Sequence, residues 1–205
     1  MKGKNQKVRL YGDPVLRKKT KPVKKIDNVI KKLIADLKVT MLTQDGLGLA
    51  ANQIGASLAV FCFNPRGVHP APFDKMTEDK IKILKFNSTQ LDKRCGVNIE
   101  QDPVAVLNPV IIKAEGKEER EEACLSLPGI VEVLLRPQKV VIQGFDENGK
   151  EIELTSSGLL ARVFQHEIDH LNGIFFIDHL SPTRRRMLKK QLDDFAKRQS
   201  LGKKD

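Results

Sequence analysis

The stretch QHEIDHLNG, Gln165 to Gly173, constrains this chain more than any other. It sets two histidines four positions apart around a glutamate and closes on a glycine. Apolar residues at Leu159, Leu160, Val163, Phe164, Ile168 and Leu171 recur at the spacing of a helix with one buried face. Thr155, Ser156 and Ser157 are N-cap candidates, and Gly173 fits the C′ position beyond the last turn. On that period His166, Glu167 and His170 lie at the edge of the apolar stripe, beside Leu159 and Val163, so the motif points inward. Inward-facing imidazoles and a carboxylate need partners, because burying an unsatisfied polar group is costly. A divalent metal is the simplest partner. Histidines at i and i+4 reach one ion from one helix face, and the glutamate beside the first can handle a proton of a water at that ion. The same pentapeptide also serves as the polar stripe of ordinary helices, so the rest of the chain has to decide.

A length of 205 residues, with 40% hydrophobic and 30% charged, predicts one globular domain over residues 1–205. No apolar run reaches the length of a membrane span, so no membrane partner is expected. The basic start lacks a following apolar core, so a cytoplasmic protein is expected. Cys62, Cys95 and Cys124 make an odd number of thiols, better suited to free, catalytic or metal-bound roles than to a disulfide framework. Cys62 reads as a small apolar residue in a buried strand, and Cys95 has polar neighbours without ligand-like spacing.

The net charge of +10 fits an anionic partner or a lysine-rich solvated surface. Cations crowd both ends. Residues 183–199 combine them with Met187, Leu188, Leu192, Phe195 and Ala196 at helical spacing, which predicts a basic amphipathic helix beginning near Ser181 or Thr183. Aromatic and basic residues do not interleave, so sequence-specific nucleic-acid reading is not indicated.

From Asp27 an N-terminal helix is expected, with its apolar face at Val29, Ile30, Leu33, Leu37, Met41 and Leu42. LAVFCFN and VAVLNPVIIKAEG read as strands, and QKVVIQGFDENGKEIELTS as a hairpin turned at ENGK. The stretch 65–103 looks like an insertion of mixed character. The expected fold class is α+β, with antiparallel strands packed around a central metal-bearing helix.

Two further stretches bear on the chemistry. EEACLSLPG puts Cys124 in an irregular, proline-ended segment. One cysteine and two histidines give a metal three protein ligands and leave a position for water, as in catalytic sites. GLGLAANQIG, Gly46 to Gly55, has glycines that let the backbone approach a ligand, and Gln53 as a donor for an oxyanion.

Together GLGLAANQ, EACLS and QHEIDHLNG resemble the peptide deformylase family, whose motifs read G-x-G-x-A-A-x-Q, E-G-C-x-S and Q-H-E-x-D-H-x-x-G. GDPVLRKKTKPV and LSPTRRR also resemble its flanks. The resemblance implies hydrolysis of the N-formyl group from the formylmethionine of newly made polypeptides. It implies Cys124, His166 and His170 as metal ligands, Glu167 as general acid/base, and Gln53 with the backbone N–H of Leu125 as oxyanion donors. Leu47, Gly48, Glu122, Ala123 and Val163 are expected to bind substrate. The implied cofactor is one divalent ion, Fe2+ first, with Zn2+, Ni2+ or Co2+ as substitutes. The implied partners are N-formylmethionyl nascent peptides and, through the C-terminal basic helix, the ribosome. Ala123 departs from the family glycine and is harmless only where the local φ is negative. Two other readings remain open at this level: a zincin-like endopeptidase, weakened by the thiolate, and an RNA-associated module, weakened by Glu167 and Gln53.

Overall fold

The computed structural model describes residues 2–65 and 103–201, with side chains placed through Lys197. Residues 66–102 of the insertion-like stretch, Cys95 among them, lie outside the described residues.

Asp27 starts helix α1 (Asn28–Thr43) by accepting the Val29 and Ile30 amides at 2.9 and 3.0 Å, which satisfies two of the donors a helix N-terminus leaves open. Strands β1 (Gly48–Ala50), β2 (Val60–Phe63), β3 (Val104–Glu115), β6 (Lys139–Phe145) and β7 (Glu151–Ser157) form an antiparallel sheet in the order β1-β2-β3-β6-β7. Between them in sequence, β4 (Glu118–Ala123) and β5 (Val131–Arg136) make a separate antiparallel pair. Helix α2 (Gly158–Leu171) follows β7, and helix α3 (Pro182–Leu201) ends the described chain.

The sheet is covered on both faces where β2 runs, which explains why VFCF is buried throughout. Phe61 and Phe63 face α2 and meet Phe164, Leu160 and Ile168. Val60 and Cys62 face α1 and meet Ile34, Leu37 and Met41. This alternation follows from the two-residue period of a strand. A third apolar cluster joins Leu134 of β5 to Phe175, Phe176, Leu188 and Leu192.

Several expectations need correction. Val29 is 71% exposed, because the buried face of α1 runs through Ile30, Ile34, Leu37 and Met41 instead. Met187 is 69% exposed and lies off the buried face of α3. Thr155 and Ser156 belong to β7, and the N-cap Ser157 makes no side-chain capping bond, since α2 starts on Gly158 at φ +61°. The β4–β5 pair was not anticipated. The hairpin turned at ENGK is present, closed by the Asp146 amide donating to the Lys150 carbonyl at 2.9 Å, and Gly173 takes its left-handed φ of +75° after α2.

Candidate metal centre

Three segments distant in sequence converge on one point. Helix α2 presents His166 and His170 one turn apart. The turn after β4 presents Cys124, and the short helix after β1 (Ala51–Ile54) presents Gln53. The Cys124 sulfur lies 3.2 Å from His170 Nε2, which lies 3.2 Å from His166 Nε2, and one donor atom from each residue falls within 4.8 Å of the others. Bond lengths of about 2.0–2.3 Å place tetrahedral ligands roughly 3.3–3.8 Å apart, so the two 3.2 Å gaps suit one divalent ion and the widest need close by no more than about an ångström. The soft sulfur and two imidazoles favour a transition metal over calcium or magnesium.

Neighbours fix these donors. Cys124 Sγ accepts from the Ser126 amide at 3.4 Å and faces Gln53 Nε2 at 3.7 Å, contacts that fix where the sulfur points. His166 Nδ1 bonds Glu122 Oε2 at 3.0 Å, which turns Nε2 toward the other donors. The Asn52 side-chain amide donates to the His170 carbonyl, tying the helix to the Gln53 segment. Burial and the His166 charge lower the pKa of His170. Burial alone would lower that of His166, but Cys124 and Glu122 hold it up.

Sequence reasoning missed the ion network behind His166. Glu122 accepts from Arg136 Nε and Nη2 at 2.5 and 3.0 Å and from Arg162 Nη1 at 2.8 Å. Arg136 also reaches Asp169 at 2.8 Å, and Asp169 holds His179 at 2.7 Å. Arg162 additionally donates to the Glu118 and Leu134 carbonyls at 2.7 and 3.1 Å, so the β4–β5 pair is bolted to α2. Burial would raise the Glu122 carboxyl, yet hydrogen bonds from His166 and Arg136 hold it at about 2. One signal was available in sequence: Arg162 sits four residues before His166 on the apolar stripe, where an unpaired cation would not be tolerated. Glu122 was expected to bind substrate; it does line the cavity, with its side chain committed to His166 and the two arginines.

Beside this centre a cavity of about 870 Å³ is lined by Leu47, Gly48, Gln53, Glu122, Ala123, Cys124, Leu125, Val163, His166 and Glu167. His170 sits behind it. Glu167 is 4% exposed, with Oε2 buried and unpartnered. Burial raises its pKa to about 7, opposed by the His166 charge. A Cβ on Gly48 would lie 2.5 Å from Glu167 Oε1 and 2.8 Å from Val163 Cγ1, so glycine is required there for the carboxylate to reach the cavity. Gln53 Oε1 accepts the Ala50 amide at 2.8 Å, which aims Nε2 at Cys124 and at Ser126 Oγ, 3.2 Å away. Among the described residues no acceptor takes the Leu125 N–H. Ala123 is absent from the positive-φ residues, so its methyl carries no backbone strain. Asp178 lies away from the centre, paired with Arg17 and Arg185.

A buried Cys-His-His set with an adjacent glutamate that keeps one oxygen unpartnered, carried on an H-E-x-x-H helix against an antiparallel sheet, defines a metallohydrolase. Residues 5–186 match the polypeptide deformylase family model. The chain is 37% identical over 186 residues to the peptide deformylase of Thermodesulfovibrio yellowstonii, covering 90% of this chain and 94% of that one. It is 36% identical over 192 residues to that of Thermotoga maritima, covering 93% and 96%. The crystal structure of a peptide deformylase from Legionella pneumophila superimposes with a TM-score of 0.74 at 36% identity, over 96% of this chain and 98% of that one. The chain belongs to the polypeptide deformylase family. It is a metal-dependent hydrolase that removes the N-formyl group from nascent peptides.

Proposed function

We propose that residues 1–205 act as one catalytic unit, in which Cys124, His166 and His170 hold a single Fe2+ ion, with Zn2+, Ni2+ or Co2+ able to replace it. When bound, the ion supplies an electrophile for the formyl oxygen and acidifies a water. The remaining chemistry belongs to the chain. Glu167 accepts a proton from the attacking water and delivers it to the departing amine nitrogen, formate being the other product. Gln53 Nε2 and the Leu125 N–H stabilise the negative oxygen that develops on the formyl carbon. Leu47, Gly48, Ala123, Val163 and the Glu122 backbone cradle the formylmethionyl residue. Glu122 also orients His166.

The observation that carries this reading is the buried, unpartnered Glu167 oxygen beside the Cys-His-His set. A structural metal needs no such group. Its test is anaerobic turnover of formyl-Met-Ala-Ser against the N-acetyl peptide, with the bound metal identified in the same sample. Equal rates on the two peptides would sink the reading. No described helix is long and apolar enough to cross a membrane; action in the cytoplasm, with α3 docking on the ribosome, completes the proposal.

A further inference from the structure

Beyond Ala123 at its end, the outer face of the β4–β5 pair is not used by the chemistry above. Strand pairing sets Ala123 opposite Val131, Glu121 opposite Val133 and Glu119 opposite Leu135. By the two-residue period these six side chains share one face, while Glu122, Leu134 and Arg136 turn inward. Val131, Val133 and Leu135 are 52%, 56% and 54% exposed, an apolar row on one strand flanked by two carboxylates on the other. Such a row is unusual on a solvated surface and marks an interaction site.

The position of this face indicates its occupant. Ala123 lines the catalytic cavity, and Glu121 lines both that cavity and a shallower groove of about 530 Å³ formed with Val131, Val133, Leu135 and Leu180. The face therefore begins at the mouth of the catalytic cavity and leads away from it. A deformylase substrate is a polypeptide whose remaining residues must leave by some path, and an extended chain advances about 3.3 Å per residue. Five extended residues cover the row from Val131 to Leu135. We propose that this face is an exosite for the downstream part of the substrate, roughly its fourth to eighth residues, and that it selects apolar and basic side chains. Apolar side chains pack on Val131, Val133 and Leu135, and lysine or arginine pairs with Glu119 and Glu121.

This inference rests on the deformylase reading, and one experiment separates the two. kcat and KM are measured for formyl-Met-Ala-Ser and for two octapeptides that begin the same way. One continues Lys-Leu-Lys-Leu-Lys, the other Glu-Ser-Glu-Ser-Glu. The basic-apolar octapeptide should show a kcat/KM about tenfold above the acidic one, carried by KM. Val133→Asp should erase the difference while leaving the tripeptide rate unchanged, and Glu119→Lys should narrow it. If no peptide is hydrolysed, the deformylase reading fails. If the tripeptide is hydrolysed and the octapeptides do not differ, or Val133→Asp slows all three alike, the exosite is refuted. A Val133→Asp variant that sediments as a smaller species with unchanged peptide preference would assign the face to a second copy of the chain and likewise refute it.

Discussion

Helices α2 and α3 carry similar signatures in sequence, apolar residues at helical spacing with charged ones between, yet the molecule uses them in opposite ways. In α2 the polar residues are inside: Arg162, Gln165, Glu167 and His170 are 3%, 5%, 4% and 1% exposed. Much of their cost is offset by partners from β4, β5, the Pro137 carbonyl and the Gln53 segment, while Arg162 Nε, His170 Nδ1 and Glu167 Oε2 stay unpartnered. Of these only the Glu167 oxygen belongs to a residue lining the cavity beside the metal donors without being a ligand or an ion-pair anchor. Among the described side chains of α3, Leu188 and Leu192 alone are buried, with Phe195 partly so. Its cations stay in water, where Arg184 meets Glu132 at 2.6 Å, Arg185 meets Asp178 at 2.9 Å and Lys189 meets Asp193 at 2.7 Å. Charge on a helix thus signals chemistry only where burial makes it expensive and something holds it there. Ion pairs whose cation stays in solvent contribute little.

The hardest strike at this contrast is on α2. Glu167→Gln keeps the shape and removes the proton carrier, so the rate on a short formyl peptide should fall on the order of 100- to 10,000-fold. Metal content, read by elemental analysis, should stay at one per chain. Parallel loss of metal and rate would make Glu167 a ligand instead. In the wild type the rate should rise with pH as Glu167 loses its proton, with an apparent pKa at or below about 7. Burial raises the group to that value, and a bound cation can only lower it.

The network that supports α2 gives the next largest effect. Glu122 is held at about 2 against an ordinary 4.5. A carboxylate with a depressed folded-state pKa contributes stability that is present above its unfolded pKa and lost as pH falls toward the folded one. Here that window runs from about 4.5 down to about 2. Glu122→Gln leaves Arg136 and Arg162 short of their counter-charge and should cost about 3–5 kcal/mol near neutral pH, measured by denaturant unfolding. The gap between variant and wild type should close as the pH approaches 2; a gap that stays constant would mean that charge is not what Glu122 contributes.

On α3 the corresponding test concerns packing. Leu192 is 7% exposed and joins Leu188 to Leu16, Phe175 and Phe176. Leu192→Ala should lower stability by about 2 kcal/mol, the low end for a buried leucine because the site lies near the surface. It should leave kcat/KM on a short peptide unchanged wherever the protein is folded. A loss of turnover without a loss of stability would show that α3 reaches into the chemistry.

The same contrast explains what was legible from residues alone. The α2 motif could be read because its period, its glycine stop and its ligand spacing all agree. α1 could be read from Asp27 onward, although the capping role of Asp27 was not and Val29 was placed on the wrong side. The β4–β5 pair could not. EEREEA has the composition of a solvated helix, and its strand state depends on Arg162 reaching across from α2 to the Glu118 and Leu134 carbonyls. Tertiary contacts override propensity there. Cys124 could be read from its irregular, proline-ended segment and then from its family pattern, but of the arginines that organise Glu122 only Arg162, on the apolar stripe of α2, carried a local signal, and Arg136 carried none. Only the fold brings them together.

The smallest effect concerns the outward cations of α3. Ribosome docking through this helix was expected from its charge, but pairing with Glu132, Asp178 and Asp193 removes Arg184, Arg185 and Lys189 from the strongest candidates. Arg186 and Lys190 are exposed and make no ion pair among the described residues. Deleting the whole helix would confuse docking with the loss of Leu188 and Leu192 from the core, so charge reversal is the cleaner change. Arg186→Glu with Lys190→Glu should leave stability and short-peptide turnover within error of wild type. Attraction to ribosomal RNA phosphates weakens steeply with salt, and each lost phosphate contact lowers the slope of log affinity against log salt by about 1. Cosedimentation with ribosomes across a salt series should therefore show the slope falling by about 2 in the double variant. If the double variant and the wild type bind with the same affinity and slope at low salt, α3 is a packing element whose charge serves only solubility.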